Sequence, residues 1–492
     1  MNYFRKNQIL DLLNTVNEMV SILHQLKNQR EAIADCQLAI ETIMTNLQQE
    51  FILPETALKS LTEFLHNLSI VSNDISSISN SKYHRKLKQD ISLIRNILKE
   101  EIPVKLNVAF FPYKASMWDS LATIYEAAAN DPNCIAKVVP IPYYELEHNS
   151  KRPAYEGGLF PKNIPIIHYS QYDLVKERPD IIFVHNVYDQ YNTITQVYEH
   201  YFTENLKKYT DMLVFVPYHI SSPIELDKND TVFRLAYNLP TIKNVDKIVL
   251  AGTFVEHEAL MHGIPKNKIL TLGSPKFDSM LNALNEEKIP DEWQEIIAGK
   301  LVFLLNTGCM FFNDPRSWVT LDLVFDITRY VDNTALIWRP HPLTQAAVQR
   351  YMPQQASSVD TYFQVIKSKH PHVRNTILDQ EVSYFPALKA ADVLVSGFSS
   401  ILDSYLISEK KVIFFSEKMP EKSLIPANAF YYFFDPQEPW FELVKKMVQG
   451  YDPLAKNRKG LVSKIYKNLD GTCGEKIYQK IKDHVLRKQN LL

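Results

Sequence analysis

"ADVLVSGFSSILDSYLISEKKVIFF", residues Ala391 to Phe415, contains an apolar strand, a polar break, a helix and a second apolar run. That handover from strand to helix to strand is the signature of α/β structure with parallel strands. The break carries Ser396, Ser399 and Ser400 where the strand ends and the helix begins. Hydroxyls and free backbone N–H groups at a helix start form the simplest anion site a protein can build. Ser400 with Asp403 also fits the S-x-x-D capping box that any helix can carry, so anion cradle and ordinary cap are both readings of this turn.

Outward from this stretch the same alternation continues. Upstream lie "GKLVFLLNTG", a helix around Trp318–Val331, "TALIWRPHP" and "NTILD"; downstream, helices from about Trp440 to Leu492 close the series. An earlier series begins at "KLNVAFFPY" and runs through a helix over Met117–Asn130, "AKVVPIPYY", "PDIIFVHN", "DMLVFVPYHI", "DKIVLAG" and "KILTLGSP". The polar stretch "NEEKIPDEWQE" separates the two. The expectation is two tandem Rossmann-like doubly wound domains, residues 104–290 and 299–492, with the carboxyl ends of their strands across a shared cleft.

Residues 1–100 differ in period. Steps of three and four from Ile9 reach Leu12, Val16, Met19, Leu23, Leu26, Ile33, Ile40, Met44 and Leu47, interrupted only by Arg30 and Gln37. The spacing predicts a coiled coil or helical hairpin. Pro54 starts another helix, and Tyr83, Leu87, Ile91, Ile94 and Leu98 mark a further amphipathic one. The seam over 9–47 fits packing within the chain and self-association or partner docking equally.

Of 492 residues, 46% are hydrophobic and 11% aromatic, enough for packed cores. Lys+Arg 54 against Asp+Glu 56 leaves a formal charge of -2, which gives no global field for nucleic acid. Cys36, Cys134, Cys309 and Cys473 are far apart, with no C-x-x-C pair; they read as isolated thiols of a reducing compartment. The first twenty residues lack a continuous apolar signal region, and no run approaches the roughly 18 apolar residues that span a bilayer. A cytoplasmic location, with peripheral contact at the inner membrane face left open, is the expectation.

Candidate chemistry sits at strand ends. In "LIWRPHP", Arg339 offers a planar fork suited to phosphate and His341 a ring able to donate beside it, on a turn stiffened by two prolines. The alternative is a turn paired with a local carboxylate. His219 in "VPYHISSP" ends a first-domain strand and, titrating near neutrality, suits a general base toward a hydroxyl; a satisfied rim histidine is the plain alternative. In "LGSPKFD", Lys276 is a candidate phosphate contact or a solvated lysine. His257 and His262 are spaced wrongly for metal ligands, and His370 and His372 flank a proline; both pairs read as structural or exposed. No H-E-x-x-H, G-x-G-x-x-G, Walker A or D-x-D occurs, so no metal or cofactor is expected.

A strand-terminal His followed in order by "LGSPKFD", "RPHP" and "SGFSSILD" resembles the CDP-glycerol glycerophosphotransferase family of teichoic-acid-type polymer synthesis. The resemblance spans about residues 104–480. It implies the two-Rossmann-domain GT-B architecture and transfer of glycerol phosphate, or a similar polyol phosphate, from a CDP-linked donor to a hydroxyl of a polymer or lipid-linked primer. It further implies a diphosphate cradle from Ser399 and Ser400 beside Ser396, with Arg339 and His341 on the donor, His219 as base and Asp403 capping the helix; His219 and His341 are the candidate catalytic pair. The family usually has His-Gly where this chain has His219-Ile220, and Ser-Asp where it has Ser396-Gly397. A GT-B glycosyltransferase using a nucleotide sugar, or a noncatalytic α/β scaffold, stays open beside it.

Overall fold

Pro54 and the apolar spacing of the first hundred residues produce four helices in a computed structural model that describes residues 3–50, 53–74, 81–102, 104–148, 150–223, 239–368, 373–420 and 423–488. They are α1 (Tyr3–Ile22), α2 (Gln29–Glu50), α3 (Glu55–Asn73) and α4 (Ser81–Glu101). α1 packs on α2 and α4, and α3 on the same two, which closes a bundle. Its core takes Leu13, Val20, Ile33, Ile40, Phe64 and Ile91. Of the two readings of the seam, packing within the chain is the one seen: Ile9, Val16, Leu23, Ile33, Ile40 and Leu47 are buried in the core of this bundle. A stripe that can be buried inside its own chain gains the same apolar transfer energy without the entropy cost of a second molecule. Residues 1–107, 132–135 and 178–180 make one compact unit and the remainder another.

Up to residue 275 the strands are β1 (Leu106–Phe110), β2 (Cys134–Val138), β3 (Tyr143–Leu146), β4 (Lys151–Ala154), β5 (Ile181–Val184), β6 (Thr195–Val197), β7 (Met212–Phe215), β8 (Lys247–Leu250) and β9 (Ile269–Thr271). "AKVVPIPYY" splits into β2 and β3, because Pro140 and Pro142 remove two ladder donors. β3 then pairs antiparallel with β4 and β6 in a small separate sheet. The main sheet has the order β2-β1-β5-β7-β8-β9, with β1, β5, β7, β8 and β9 parallel. The helix predicted over Met117–Asn130 is a 3-10 stretch, Ala115–Ser120, followed by α5 (Ala122–Ala129).

The second sheet contains β10 (Leu301–Thr307), β11 (Thr334–Pro340), β12 (Thr376–Leu378), β13 (Val393–Ser396), β14 (Lys411–Phe414) and β15 (Tyr431–Tyr432). All pairings are parallel, in the order β12-β11-β10-β13-β14-β15. Counted from β10 this is the 3-2-1-4-5-6 order of a dinucleotide-binding sheet, which reverses direction between β10 and β13. β10 and β11 are buried on both faces, as expected of near-continuous apolar strands under helices.

The two sheets share one contiguous core. Ile220, Phe277 and Met280 of the first domain pack with Leu304, Leu402 and Tyr405 of the second. The helix Pro275–Glu286 carries Phe277 and Met280 and lies against α5 on one side and against Phe385–Ala390 and Ser400–Tyr405 on the other. The terminal helix Cys473–Lys488 does not close the second domain as expected but returns to the first, along α5. Asp131 holds it through Lys482 Nζ at 2.5 Å and Tyr478 Oη at 2.7 Å. Gly474 permits the approach: a Cβ there would stand 2.5 Å from the Thr123 carbonyl carbon and 2.7 Å from the Ile124 nitrogen.

One buried ionic group ties these elements together. Lys276 Nζ pairs with Asp119 Oδ2 at 2.5 Å, and the Tyr384 hydroxyl of the second domain donates to the same oxygen. All three residues are buried. Replacing Lys276 by Met leaves a buried uncompensated carboxylate, and the expected loss is about 3–5 kcal/mol. Urea unfolding followed by circular dichroism measures it, and adding Asp119→Leu to the same protein should recover most of the loss.

Candidate functional site

The serine turn falls at the reversal point of the second sheet. Asn306 at the end of β10 lies in register with Ser396 at the end of β13. Its Nδ2 donates to Ser396 Oγ at 3.2 Å and to Ser399 Oγ at 3.0 Å. Ser399, not Ser400, is the helix cap: its Oγ accepts from the Leu402 N–H at 3.1 Å. Asp403 does not cap the helix either. It is buried, and its Oδ1 accepts from Ser222 Oγ of the first domain at 3.1 Å, so the capping-box reading gives way to a bridge between domains. Burial pushes the Asp403 carboxyl well above its ordinary range, partly offset by Ser222. The hydroxyl of Ser400 makes no hydrogen bond among the described residues. A Cβ on Gly397 would meet Phe415 at an ordinary 3.8 Å, so packing does not exclude a side chain there.

Ser222 belongs to the loop after β7 that carries His219. Tyr466 Oη donates to Ser221 O at 2.9 Å and anchors the same loop. Ile220, where the family resemblance leads one to expect glycine, is buried in the interdomain core, which accounts for the larger residue. The small cavity of about 10 Å³ beside His219 is bounded by Ala251, Gly273, Ser274 and Pro275. Gly273 has φ +98, and a Cβ there would lie 2.3 Å from the Lys467 carbonyl, so this glycine answers to a chain crossing. Loss of water around the His219 ring, reinforced by the Lys276 charge, lowers its pKa to about 4. The ring is therefore neutral at pH 7, and it titrates well below the near-neutral value read from the sequence.

Lys276 does not offer a free ammonium for phosphate, since its charge is committed to Asp119. Arg339 is likewise engaged. Its Nη1 binds Asp379 Oδ2 at 2.6 Å and Ser383 O at 3.2 Å, while Nη2 binds Glu381 O at 2.8 Å and Val382 O at 3.3 Å. The planar fork expected to grip a ligand holds the 379–383 loop instead, with its cation 5.9 Å from the Tyr384 ring centroid. His341 Nδ1 accepts from the Leu343 N–H at 3.0 Å, which leaves Nε2 to carry the proton. Burial, Lys114 and Arg339 lower its pKa to about 4.

Arg339 and His341 line a cavity of about 280 Å³ together with Lys114 and Glu156 from the first domain. Lys114 Nζ is paired with Glu156 Oε1 and donates to Tyr143 Oη, both at 2.7 Å. His219 and the serine turn are not among the lining residues, so the sequence candidates fall into two groups: Arg339 with His341, and His219 with the loop that Ser222 ties to the serine turn. His257 is exposed, and His370 and His372 lie outside the described residues. Among the described residues no cluster of three His, Cys, Asp or Glu could hold a metal, and no helix is long and apolar enough to cross a membrane. Sequence reading passed over Asn306, Lys114, Asp119 and Ser222. Asn306 alone carried a signal, as the polar end of "LVFLLN" facing the serine break.

No protein family and no curated protein matches this sequence. Solved structures do match. The wall teichoic acid polymerase TagF is 12% identical, with 89% of this chain and 100% of that chain covered and a TM-score of 0.50. The UDP-GlcNAc 2-epimerase of Methanocaldococcus jannaschii, in complex with UDP-GlcNAc and UDP, is 15% identical over 77% of this chain and 100% of that one, with a TM-score of 0.50. S. aureus MnaA with UDP is 13% identical over 79% and 98%, again at 0.50. These likenesses define the fold: two Rossmann-like domains of the GT-B type.

His185, at the end of β5, is buried neutral as well; its Nε2 accepts from the Tyr113 N–H at 3.2 Å, and burial lowers its pKa to about 3. Each of the three histidines has a folded pKa below the unfolded value, so the unfolded chain binds more protons between about pH 4 and 6.5. Their contribution to stability is present above about 6.5 and is lost as the pH falls toward 4. Denaturant midpoints between pH 7 and 4.5 should fall less steeply in His341→Gln than in the unaltered protein; an identical slope would mean that the ring is not held neutral.

Proposed function

We propose that the protein is a transferase that moves glycerol phosphate, or a similar polyol phosphate, from a CDP-linked donor to a hydroxyl acceptor in cell-surface polymer synthesis. The carrying observation is the Ser222–Asp403 hydrogen bond, which ties the His219 loop of one domain to the turn at the reversal point of the other. Ligands of open parallel sheets bind at such points, and this one offers hydroxyls and backbone N–H groups without a committed cation. The proposal places the donor diphosphate at Ser396, Ser399 and Ser400, oriented by Asn306. His219 takes the proton of the acceptor hydroxyl as that oxygen bonds to the phosphorus bearing the polyol, while the diphosphate P–O bond breaks and CMP leaves with its electron pair. Its neutral form, the one a base needs, persists down to about pH 4.

Arg339 serves this reading indirectly, by shaping the 379–383 loop and the turn that presents His341. The GT-B neighbours support a nucleotide-linked donor: the M. jannaschii epimerase is in complex with UDP-GlcNAc and UDP, and S. aureus MnaA with UDP. The UDP-GlcNAc complex of the epimerase also favours a second reading, a GT-B enzyme acting on a nucleotide sugar. The acceptor is proposed to be polymer- or lipid-linked, reached from the cytoplasmic face of the membrane.

Thermal shift with CDP, CTP, UDP and GDP separates the readings, because a ligand that binds only the folded chain raises the midpoint by mass action. CDP alone should stabilise; UDP or GDP alone would move the assignment to a nucleotide sugar, and no shift with any of them would leave a scaffold. With the donor so identified, His219→Ala should slow the chemical step by roughly 10²–10⁴-fold while leaving CDP affinity within about twofold. The acidic limb of the rate profile, expected near pH 4 in the unaltered enzyme, should vanish with it. Full turnover in His219→Ala removes the base assignment.

A further inference from the structure

We infer that the cavity shared by Lys114, Glu156 and His341 is a subsite for an uncharged polyhydroxylated ring, a sugar, and not for a phosphate. Placing that sugar at the acceptor end rests on the transfer reading above; the chemistry of the subsite does not.

Charge comes first. Two cations, Lys114 and Arg339, face four carboxylates, Glu145, Glu156, Asp379 and Glu381, so the lining is formally -2, and it stays negative when Arg152, which pairs with Glu145 from outside the lining, is counted. Both cations are spent: Lys114 on Glu156 and Tyr143, Arg339 on Asp379 and three carbonyls. His341 is neutral, with its pKa lowered to about 4, and adds no positive charge at pH 7. An entering phosphate would meet net negative charge with no free cation to neutralise it, in a cleft where partial desolvation strengthens repulsion.

Hydrogen-bonding capacity points the other way. Thr344 is 1% exposed, lines the cavity, and its Oγ1 has no partner among the described residues. A buried hydroxyl left unpaired is costly, and a ligand hydroxyl meeting it would recover that cost. Ser116 and Gln380 line the same space and make no side-chain hydrogen bond among the described residues. His341 Nε2–H is a further donor, and the carboxylates keep spare lone pairs for incoming hydroxyls. Hydroxyls both donate and accept, so they match such a mixed lining, whereas a phosphate oxygen can only accept. Phe363, Pro340 and Pro342 supply apolar surface for the faces of a ring. The volume, about 280 Å³, lies near the lower end, roughly 300 Å³, of ligand pockets, room for one ring-sized group.

The test is saturation-transfer NMR on the full chain with three uncharged probes, methyl β-glucopyranoside, methyl β-galactopyranoside and methyl N-acetyl-β-glucosaminide, and with glycerol 3-phosphate as the anionic competitor. At least one glycoside should show saturable transfer that glycerol 3-phosphate does not displace. Thr344→Val, which keeps the side-chain volume and whose folding is checked by its thermal midpoint, should weaken that binding about tenfold, the worth of one well-placed hydrogen bond. The inference is overturned if none of the three glycosides binds, if glycerol 3-phosphate displaces the bound one at comparable concentration, or if folded Thr344→Val binds within twofold of the unaltered protein. A CDP thermal shift on the same preparation reports separately on the transfer reading: a shift without glycoside binding removes the subsite alone, and glycoside binding without a shift removes the CDP donor alone.

Discussion

A single carboxylate, Asp119, sits between the Lys276 ammonium of its own domain and the Tyr384 phenol of the other, away from water. Removing such a group from water is expensive, and only partners on both sides make it tolerable. The position of each partner is therefore constrained by the others. Lys276 rides on the helix Pro275–Glu286, whose Phe277 and Met280 enter the interdomain core. Tyr384 leads into the helix Phe385–Ala390 and faces the Arg339 guanidinium. Arg339 in turn fixes the 379–383 loop, and the Lys276 charge helps keep His219 neutral. Domain apposition thus depends on one buried pair, whose lysine also adds to the burial that keeps His219 neutral.

The same economy shapes the electrostatics of the cleft. The cations that a phosphate ligand would seek are consumed in holding structure, and the histidines are kept neutral by burial and by those same cations. On the proposed transfer reading, anion binding is left to dipoles, that is, to hydroxyls and N–H groups at the reversal point of the second sheet, where Asn306 bonds to Ser399. Neutral donors and carboxylates line the larger cavity. Under the proposals made above, the two regions take chemically different parts of a substrate pair, one anionic and one not.

The apolar core shared by both domains bears on motion. Interfaces between domains within a chain are usually more polar than this and permit relative movement. Here Ile220, Phe277 and Tyr466 fill the join, and the terminal helix crosses back to the first domain under the constraint of Gly474. Change of shape on binding is expected in exposed connecting loops more than in the angle between sheets.

The alternation of buried strands with helices and the placement of the serine break at a strand end were legible from residue pattern alone, because burial on both faces of a parallel sheet leaves a continuous apolar run and connections must turn at its ends. Arg339, Lys276 and Asp403 show where that legibility stops. Each is a charged residue in a strand-end motif, and the sequence cannot say whether its partner is a ligand or a carboxylate, carbonyl or hydroxyl brought from 40, 157 or 181 residues away. The N-terminal seam is a similar case, since an apolar stripe is equally satisfied by a partner chain or by α3 and α4. Local pattern determined which elements form and which faces they bury; the long-range apposition of those faces decided which charges are spent on the fold and which groups remain free to meet a substrate.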